Sequence, residues 1–363
     1  TGLGFVSSLG QTVEEVSTAL AEGRSGVVRG EERVERGFRS PLTGTLRDYD
    51  SKRPLHRRER RSMSEPAQYA AVAALAALRD AELNRDALKG YRNGVVLGND
   101  STCGGAASAA MRTIEEGTTR KLGSSAVLDC MNSSPSINLS VLLGSQGACW
   151  TMSAACASGA HALGQGWSLI ATGQQDVVVC GGTQELNWAS MAGFDALGAF
   201  STHDGDPANA VRPFSVDRDG LVPSGGAAVI ILESLAHAQR RDARVRAELL
   251  SYAFTSDGHH VTTPNGAGAA RCIQSAIDAA GISPSEIEYL NAHAAGTVLG
   301  DAAEARAILS VFGERCPPVS STKSLTGHEC WMAGASEAAY TILMSNGEFL
   351  APNRNFSASD KGL

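Results

Sequence analysis

Aromatic residues are scarce in this 363-residue chain, at 5%. No apolar run approaches the roughly 20 residues that a membrane-crossing helix needs. Positive charge is also short: 31 Lys and Arg stand against 38 Asp and Glu, for a net charge of −7. That balance argues against a nucleic-acid surface. The eight cysteines include no CxxC pair and no metal-ligand spacing, and they sit in apolar or glycine-rich settings such as Val177-Val-Val-Cys180-Gly-Gly. A reducing cytoplasm, no disulfide framework and no bound metal are therefore expected. No secretory signal is visible. The chain is rich in glycine, with 40 residues, and in alanine, and 43% of it is apolar. This composition suits a tightly packed α/β protein with core enough for one large or two fused domains.

One stretch organises the rest: Thr151-Met-Ser-Ala-Ala-Cys156-Ala-Ser-Gly159-Ala-His161. The apolar run ending in Cys149, Trp150, Thr151 and Met152 reads as a strand. Ala160, Leu163, Leu169 and Ile170 then recur at helical spacing, with Gly173 as the stop. Cys156 thus lies at a strand-to-helix turn with its sulfur near a helix N-terminus, where the positive end of the dipole favours thiolate over thiol. A thiolate is a nucleophile suited to thioester exchange. The alternative is a buried structural cysteine, which most intracellular cysteines are.

Other elements follow from pattern. Thr1 to Gly10 reads as a glycine-rich loop, with a strand expected before it, and Thr12 to Glu22 as a helix stopped by Gly23. Ser64-Glu-Pro66 reads as a capped helix start, with apolar residues continuing to Leu78. Apolar strands are expected at Gly94–Gly98, at Asp176–Gly182, at Ala227–Glu233 and, longer, at Val245–Phe254. Residues 30–62 are polar and irregular, with a basic run from His56 to Arg61 that is either a solvated surface or a docking patch for an acidic partner. Helix, polar link and strand recur in each half, at Arg79–Gly94 and at Cys272–Leu290. The expectation is a layered α/β fold with mostly parallel core sheets.

Tyr289-Leu-Asn-Ala-His293 places a histidine just past a strand, and Ser320-Ser-Thr-Lys323-Ser-Leu-Thr-Gly-His328 places a lysine and a second histidine past another. Loops at strand ends are where α/β folds put chemistry. With these residues the chain resembles, over nearly its full length, the β-ketoacyl-acyl-carrier-protein synthases, elongating condensing enzymes of the thiolase fold. The resemblance rests on TGLGFVSSLG at the start, SAACASGAH around Cys156, GFDALGAFS at 193–201, RPFSVDRDGLV at 212–222, and the ordered set Cys156, His293, Lys323, His328.

The resemblance implies a thiolase-like αβαβα fold built from two duplicated halves. Residues 1–233 would carry the nucleophile and residues 234–363 both histidines and the lysine. It implies ping-pong condensation of an acyl-Cys156 thioester with malonyl-acyl carrier protein, with His293 and His328 stabilising an enolate. Lys323 would supply positive charge and be held by Glu337, while Asp301 and Glu304 look structural. Thr297 and Ala295 fall where the family holds the pantetheine arm, and Asn99, Asp100, Ser101, Met131 and Phe194 fall at the acyl pocket. No metal or dissociable cofactor is implied. The implied partners are acyl carrier protein and a second subunit, in a homodimer or in a heterodimer with a homologous chain. A cytoplasmic location without membrane insertion goes with them.

The chain departs from the family at three places. Ala295 stands where the family has a threonine. Glu329-Cys-Trp-Met-Ala-Gly334 stands where it reads Ser-Leu-Gly-Ala-Ala-Gly, so Trp331 replaces a small residue. The family's glycine-rich tail with its gating phenylalanine is not reached by Leu363, so the C-terminal half is expected to be incomplete, with the gate and one oxyanion donor unassigned. The departures at Ala295 and Trp331, with the polar loop Asn99-Asp-Ser101, keep a polyketide or polyene ketosynthase, working with a chain-length-factor partner, as the alternative to a fatty-acid enzyme. A partner subunit without activity is the other alternative. The polar loop at Asn99–Ser101 is expected either to bond to backbone or to face the pocket and favour short or unsaturated acyl chains.

Overall fold

The computed structural model describes residues 1–260 and 262–359. Twelve elements position the site: β1 (Gly2–Val6), α1 (Glu65–Asp80), β2 (Asn93–Gly98), β3 (Cys149–Met152), α2 (Ser158–Ala171), β4 (Val177–Gln184), β5 (Gly226–Glu233), α3 (Ala267–Ala280), β6 (Leu290–Asn291), α4 (Val298–Phe312), β7 (Val319–Ser320) and α5 (Ala333–Gly347). The first half forms a five-stranded sheet in the order β1-β5-β4-β2-β3. β5 runs antiparallel to both its neighbours, and the other four strands share one direction. The sheet is therefore mixed but mostly parallel.

Both faces of this sheet are covered, which is why its strands are nearly continuous apolar runs. On one face, Ala70, Ala73, Ala74 and Ala77 of α1 pack against Val95, Leu97, Val179 and Ile231. On the other, Val96, Val178, Cys180 and Ile230 meet Ala162 and Leu163 of α2 and Ala335, Ala339 and Tyr340 of α5. Tyr340 stacks on Phe5 at 5.8 Å between ring centroids, tying the C-terminal half to β1.

Thr1–Gly10 is thus largely strand, not the expected loop. Its glycines mark close packing: a Cβ at Gly4 would lie 2.0 Å from the Ala73 carbonyl oxygen of α1, and one at Gly2 would lie 2.2 Å from that of Ala77. Ser64 precedes α1 but makes no side-chain cap, and its buried hydroxyl has no partner among the described residues. The helix, polar link and strand of each half are present, as α1, a turn at Arg85–Leu88 and β2, and as α3, a turn at Pro284–Glu286 and β6. The second half's ladder is shorter than expected. β6 and β7 pair in parallel over two residues each, and Val245–Phe254 forms no ladder. Its apolar positions Val245, Leu249, Leu250 and Phe254 lie exposed, so β-branched and aromatic content there found no neighbouring strand to pair with.

Two buried carboxyl groups brace the loops beyond β6 and β7. Glu304 of α4 accepts the backbone N–H groups of His293 and Ala294 at 2.7 and 2.6 Å. Glu329 accepts hydrogen bonds from the Ser336 and Tyr340 hydroxyls at 2.5 and 2.9 Å. Burial pushes each carboxyl up to about 7. A raised folded-state value stabilises the fold fully below the carboxyl's ordinary range, and that stabilisation is lost as pH rises through the folded value. The melting temperature should therefore fall as pH rises from about 4.5 to about 7, the ordinary and the folded values of Glu329, and Glu329→Gln should remove part of that slope. An identical slope in the variant would count against this role for Glu329.

Gly98, the last residue of β2, touches the start of α2: a Cβ there would sit 2.4 Å from the Ser158 carbonyl carbon and 2.5 Å from Gly159 N. These neighbours are backbone and cannot swing aside. Gly98→Ala should destabilise the protein by about 1–3 kcal/mol, as overpacking does. Chemical denaturation measures it, and an unchanged midpoint would show that α2 shifts freely.

Candidate active site

Cys156 sits between β3 and α2, beyond the C-terminal ends of the parallel strands. The turn is tight. Ala155 takes φ +47°, a left-handed conformation that costs a residue with a side chain about 1 kcal/mol. Ser158 holds it there: its buried hydroxyl oxygen accepts the Ala154 N–H at 2.9 Å, and its O–H donates to the Ala155 carbonyl at 2.6 Å. Neighbouring β2 ends in register with β3, Gly98 opposite Met152. The loop after β2 is laced to the Cys156 turn by Asn99 N–H to the Met152 carbonyl at 3.0 Å and by the Ser153 hydroxyl on the Asp100 carboxylate.

The second half delivers its residues in the same way. His293 follows β6; Lys323 and His328 follow β7, its parallel partner. The His293 loop is braced by Glu304 and by Asp301, whose carboxylate accepts the N–H groups of Gly296, Thr297 and Phe214. Arg218, from the charged turn at 212–222, donates to the carbonyls of Thr297, Val298 and Ser215. Asp301 and Glu304 thus act as the structural residues expected of them.

These loops converge. One side-chain ligand atom each of Cys156, His293 and His328 lies within 4.8 Å of the others. The two imidazole centroids are 5.1 Å apart, with ring planes at 81°. His328 Nδ1 accepts the Cys330 backbone N–H at 3.1 Å, so a neutral His328 carries its proton on Nε2. Nε2 is 3.1 Å from Cys156 Sγ, and the N–H there is a donor, not a base. Beside this group the buried Lys323 ammonium is paired with the Glu337 carboxylate.

The charge of Lys323 sets the electrostatics. It is the largest cause, ahead of burial, that lowers His293 to about 3. Burial first, then Lys323, holds His328 well below the usual histidine range. Both rings therefore stay neutral across the physiological range and keep an N–H to donate. Cys156 runs against expectation. The helix terminus was expected to favour thiolate, yet burial pushes the thiol up to about 11, with Lys323 opposing the shift. The His328 N–H on the sulfur also opposes it.

A thiol and two imidazoles this close form a set that could ligate a soft divalent ion. The adjacent ammonium disfavours any cation there, and the same donors are suited to an oxyanion.

The other expected residues divide. Phe194 and Ala295 share an apolar cluster with Cys156, together with Met191, Phe200, Leu221, Cys330 and Trp331. Thr297 stands at the start of α4, its N–H on Asp301. Ser101 accepts the Trp331 indole N–H at 3.1 Å. Asn99 and Asp100 are held by hydrogen bonds, and Asp100 lies near enough to Cys156 to help raise its thiol. Asn99 is buried and donates to the Thr102 hydroxyl and the Asn132 carbonyl, and Asp100 receives Ser153. They close the loop, as short polar side chains commonly do. Met131 is 37% exposed, and its carbonyl accepts the Thr102 hydroxyl of the loop after β2. Ser158 and Glu329 were not anticipated. Ser158 looks like any small residue of the bend, and Glu329 gains its partners only through α5.

Residues 1–238 match the family described as beta-ketoacyl synthase, N-terminal domain, and residues 246–357 match its C-terminal domain. The chain is 39% identical to 3-oxoacyl-[acyl-carrier-protein] synthase 1 of Haemophilus influenzae, over 99% of this chain and 88% of that protein. Its structure resembles a beta-ketoacyl synthase from Burkholderia phymatum, with TM-score 0.94 and 34% identity, over 99% of this chain and 89% of that one. It also resembles a ketosynthase bound to a hexaketide and in complex with its type II PKS acyl-carrier protein, with TM-score 0.90 and 32% identity, over the same shares. The chain belongs to the β-ketoacyl synthase family and is an elongating, condensing acyltransferase of fatty-acid or polyketide synthesis.

Proposed function

We propose that Cys156, His293, His328 and Lys323 carry a decarboxylative condensation on carrier-bound thioesters. The observation that supports it is the convergence of one sulfur and two neutral imidazoles on a common point, with the His328 donor fixed on Nε2. In the first half-reaction Cys156 Sγ attacks an acyl thioester. The new C–S bond forms, the carrier's C–S bond breaks, and the cysteine proton leaves with the carrier thiol. The Cys156 backbone N–H faces the oxygen that gains charge. In the second, the bond between the malonyl carboxylate and its methylene carbon breaks and carbon dioxide departs. The electron pair is delocalised onto the thioester oxygen as an enolate. The N–H groups of His293 and His328 donate to that oxygen, and Lys323 adds positive potential. The enolate carbon then bonds to the acyl carbon while the bond to Cys156 breaks, which leaves a β-ketoacyl thioester on the carrier and a Cys156 thiolate that regains its proton from water. No metal or dissociable cofactor takes part in these steps.

Two partners go with this reading. The first is an acidic acyl carrier protein on the basic segment His56–Arg61, whose Arg57–Arg60 turn has no buried residue. The second is another copy of this chain. β3 is the edge strand of the sheet, and the nearby Val127, Met131, Ile137, Val141 and Trp150 are exposed. An apolar edge of this kind favours pairing with another strand. A heterodimer with a homologous chain-length-factor subunit, in polyene or polyketide synthesis, is the second reading, favoured by the departures at Ala295 and Trp331. All eight cysteines are free thiols, which suits the cytoplasm. Among the described residues no helix is long and apolar enough to cross a membrane.

Cys156→Ala should abolish acyl loading, read by intact mass, without loss of fold. His293→Ala and His328→Ala should retain loading but lose about 100-fold or more in malonyl decarboxylation, the scale of removing one such donor. Normal carbon dioxide release by either histidine variant would defeat the assignment. Sedimentation should show a dimer at micromolar concentration; a monomer would rule out the self-pairing of the β3 edge, and a dimer only with an added homologous chain would select the second reading.

A further inference from the structure

We infer that Trp331 fills the space an acyl chain would take beyond Cys156, so that the enzyme accepts short acyl groups and rejects long saturated ones. The inference rests on the acyl-Cys156 reading above. The indole is buried, in the turn at Cys330–Met332 between the His328 loop and α5. It packs in the same apolar cluster as Cys156 and Phe194. Its ring centroid is 6.2 Å from that of Phe194, which in turn stacks on Phe200 at 6.2 Å. Its N–H is anchored on Ser101 Oγ at 3.1 Å, in the loop after β2.

The indole therefore joins three elements that surround the nucleophile: the loop after β2, the helix Trp188–Ala196 and the loop before α5. A chain bonded to Sγ and extending into this cluster meets the indole and the Phe194 ring. A buried indole with a satisfied N–H has two reasons to stay: its apolar area is out of water, and moving it would leave the donor unpaired. The polar character of Ser101, unexpected in an acyl pocket, has its explanation here. It holds the wall and need not touch the chain. Cys330, which precedes the indole, adopts φ +44°, so the backbone is turned to present Trp331 at this point.

The test loads the whole protein from carrier-bound acetyl, butyryl, octanoyl and palmitoyl thioesters and measures each acyl-Cys156 adduct by intact mass. The wild type should load acetyl and butyryl and exclude palmitoyl. Trp331→Ala should raise the palmitoyl-to-butyryl ratio by at least about tenfold, the scale on which an apolar pocket discriminates size. Ser101→Ala, which removes only the anchor, should raise it less, and it decides the matter should Trp331→Ala not fold. Palmitoyl loading by the wild type equal to butyryl, or a ratio unchanged in the folded variants, overturns the inference and leaves the condensing reading standing. Failure of every acyl group to appear on Cys156 overturns the condensing reading, and this inference with it.

Discussion

The close crossing of α2 and α5 is the constraint on which the site depends. A Cβ at Gly159 would lie 2.9 Å from the Ala335 backbone nitrogen, and one at Gly334 would lie 2.6 Å from the Ala160 Cβ. With glycine at both positions the two helices approach almost backbone to backbone. Each helix follows one of the converging loops, α2 after Cys156 and α5 after His328. Residues 172 positions apart are thereby brought to 3.1 Å. A side chain at the crossing would force the two helices apart and lengthen the 3.1 Å contact between His328 and Cys156.

Once the halves are joined, one buried cation governs the chemistry. Lys323 lies out of water, so its field is weakly screened. That field and burial together keep both imidazoles neutral, and neutral His328, with its Nδ1 occupied, is a fixed hydrogen-bond donor. Glu337 holds the ammonium in place, and Glu329 and Glu304 brace the flanking loops. Donors that are already oriented need no reorganisation when charge develops on a substrate oxygen, which is the main electrostatic advantage of such a site.

Burial also explains where local reasoning misled. The helix terminus before α2 is in the expected place, yet burial shifts the Cys156 thiol upward. Thr1–Gly10 looked like a loop because glycines usually mark turns; here they mark a strand pressed against the alanine face of α1. Asn99 and Asp100, for which hydrogen bonding within the local structure is one of the two expectations, make such bonds, Asn99 to the Asn132 carbonyl and Asp100 from the Ser153 hydroxyl. Val245–Phe254 had a strand's composition and lacked the neighbour that a strand requires.

The sequence by itself determined the α/β class, the alternation of strands and helices, the strand-to-helix turn at Cys156, and the identity of the four polar residues. These follow from periodicity, glycine placement and ordered motifs, all of which are local along the chain. Only the tertiary structure decided that Cys156, His293 and His328 share one point, that His328 donates from Nε2, that the thiol is raised, and that Trp331 leans on Ser101 beside Phe194. The shared point, the raised thiol and the Trp331 contacts depend on distance and burial between segments more than a hundred residues apart, and the His328 donor depends on the turn that brings the Cys330 N–H back to Nδ1.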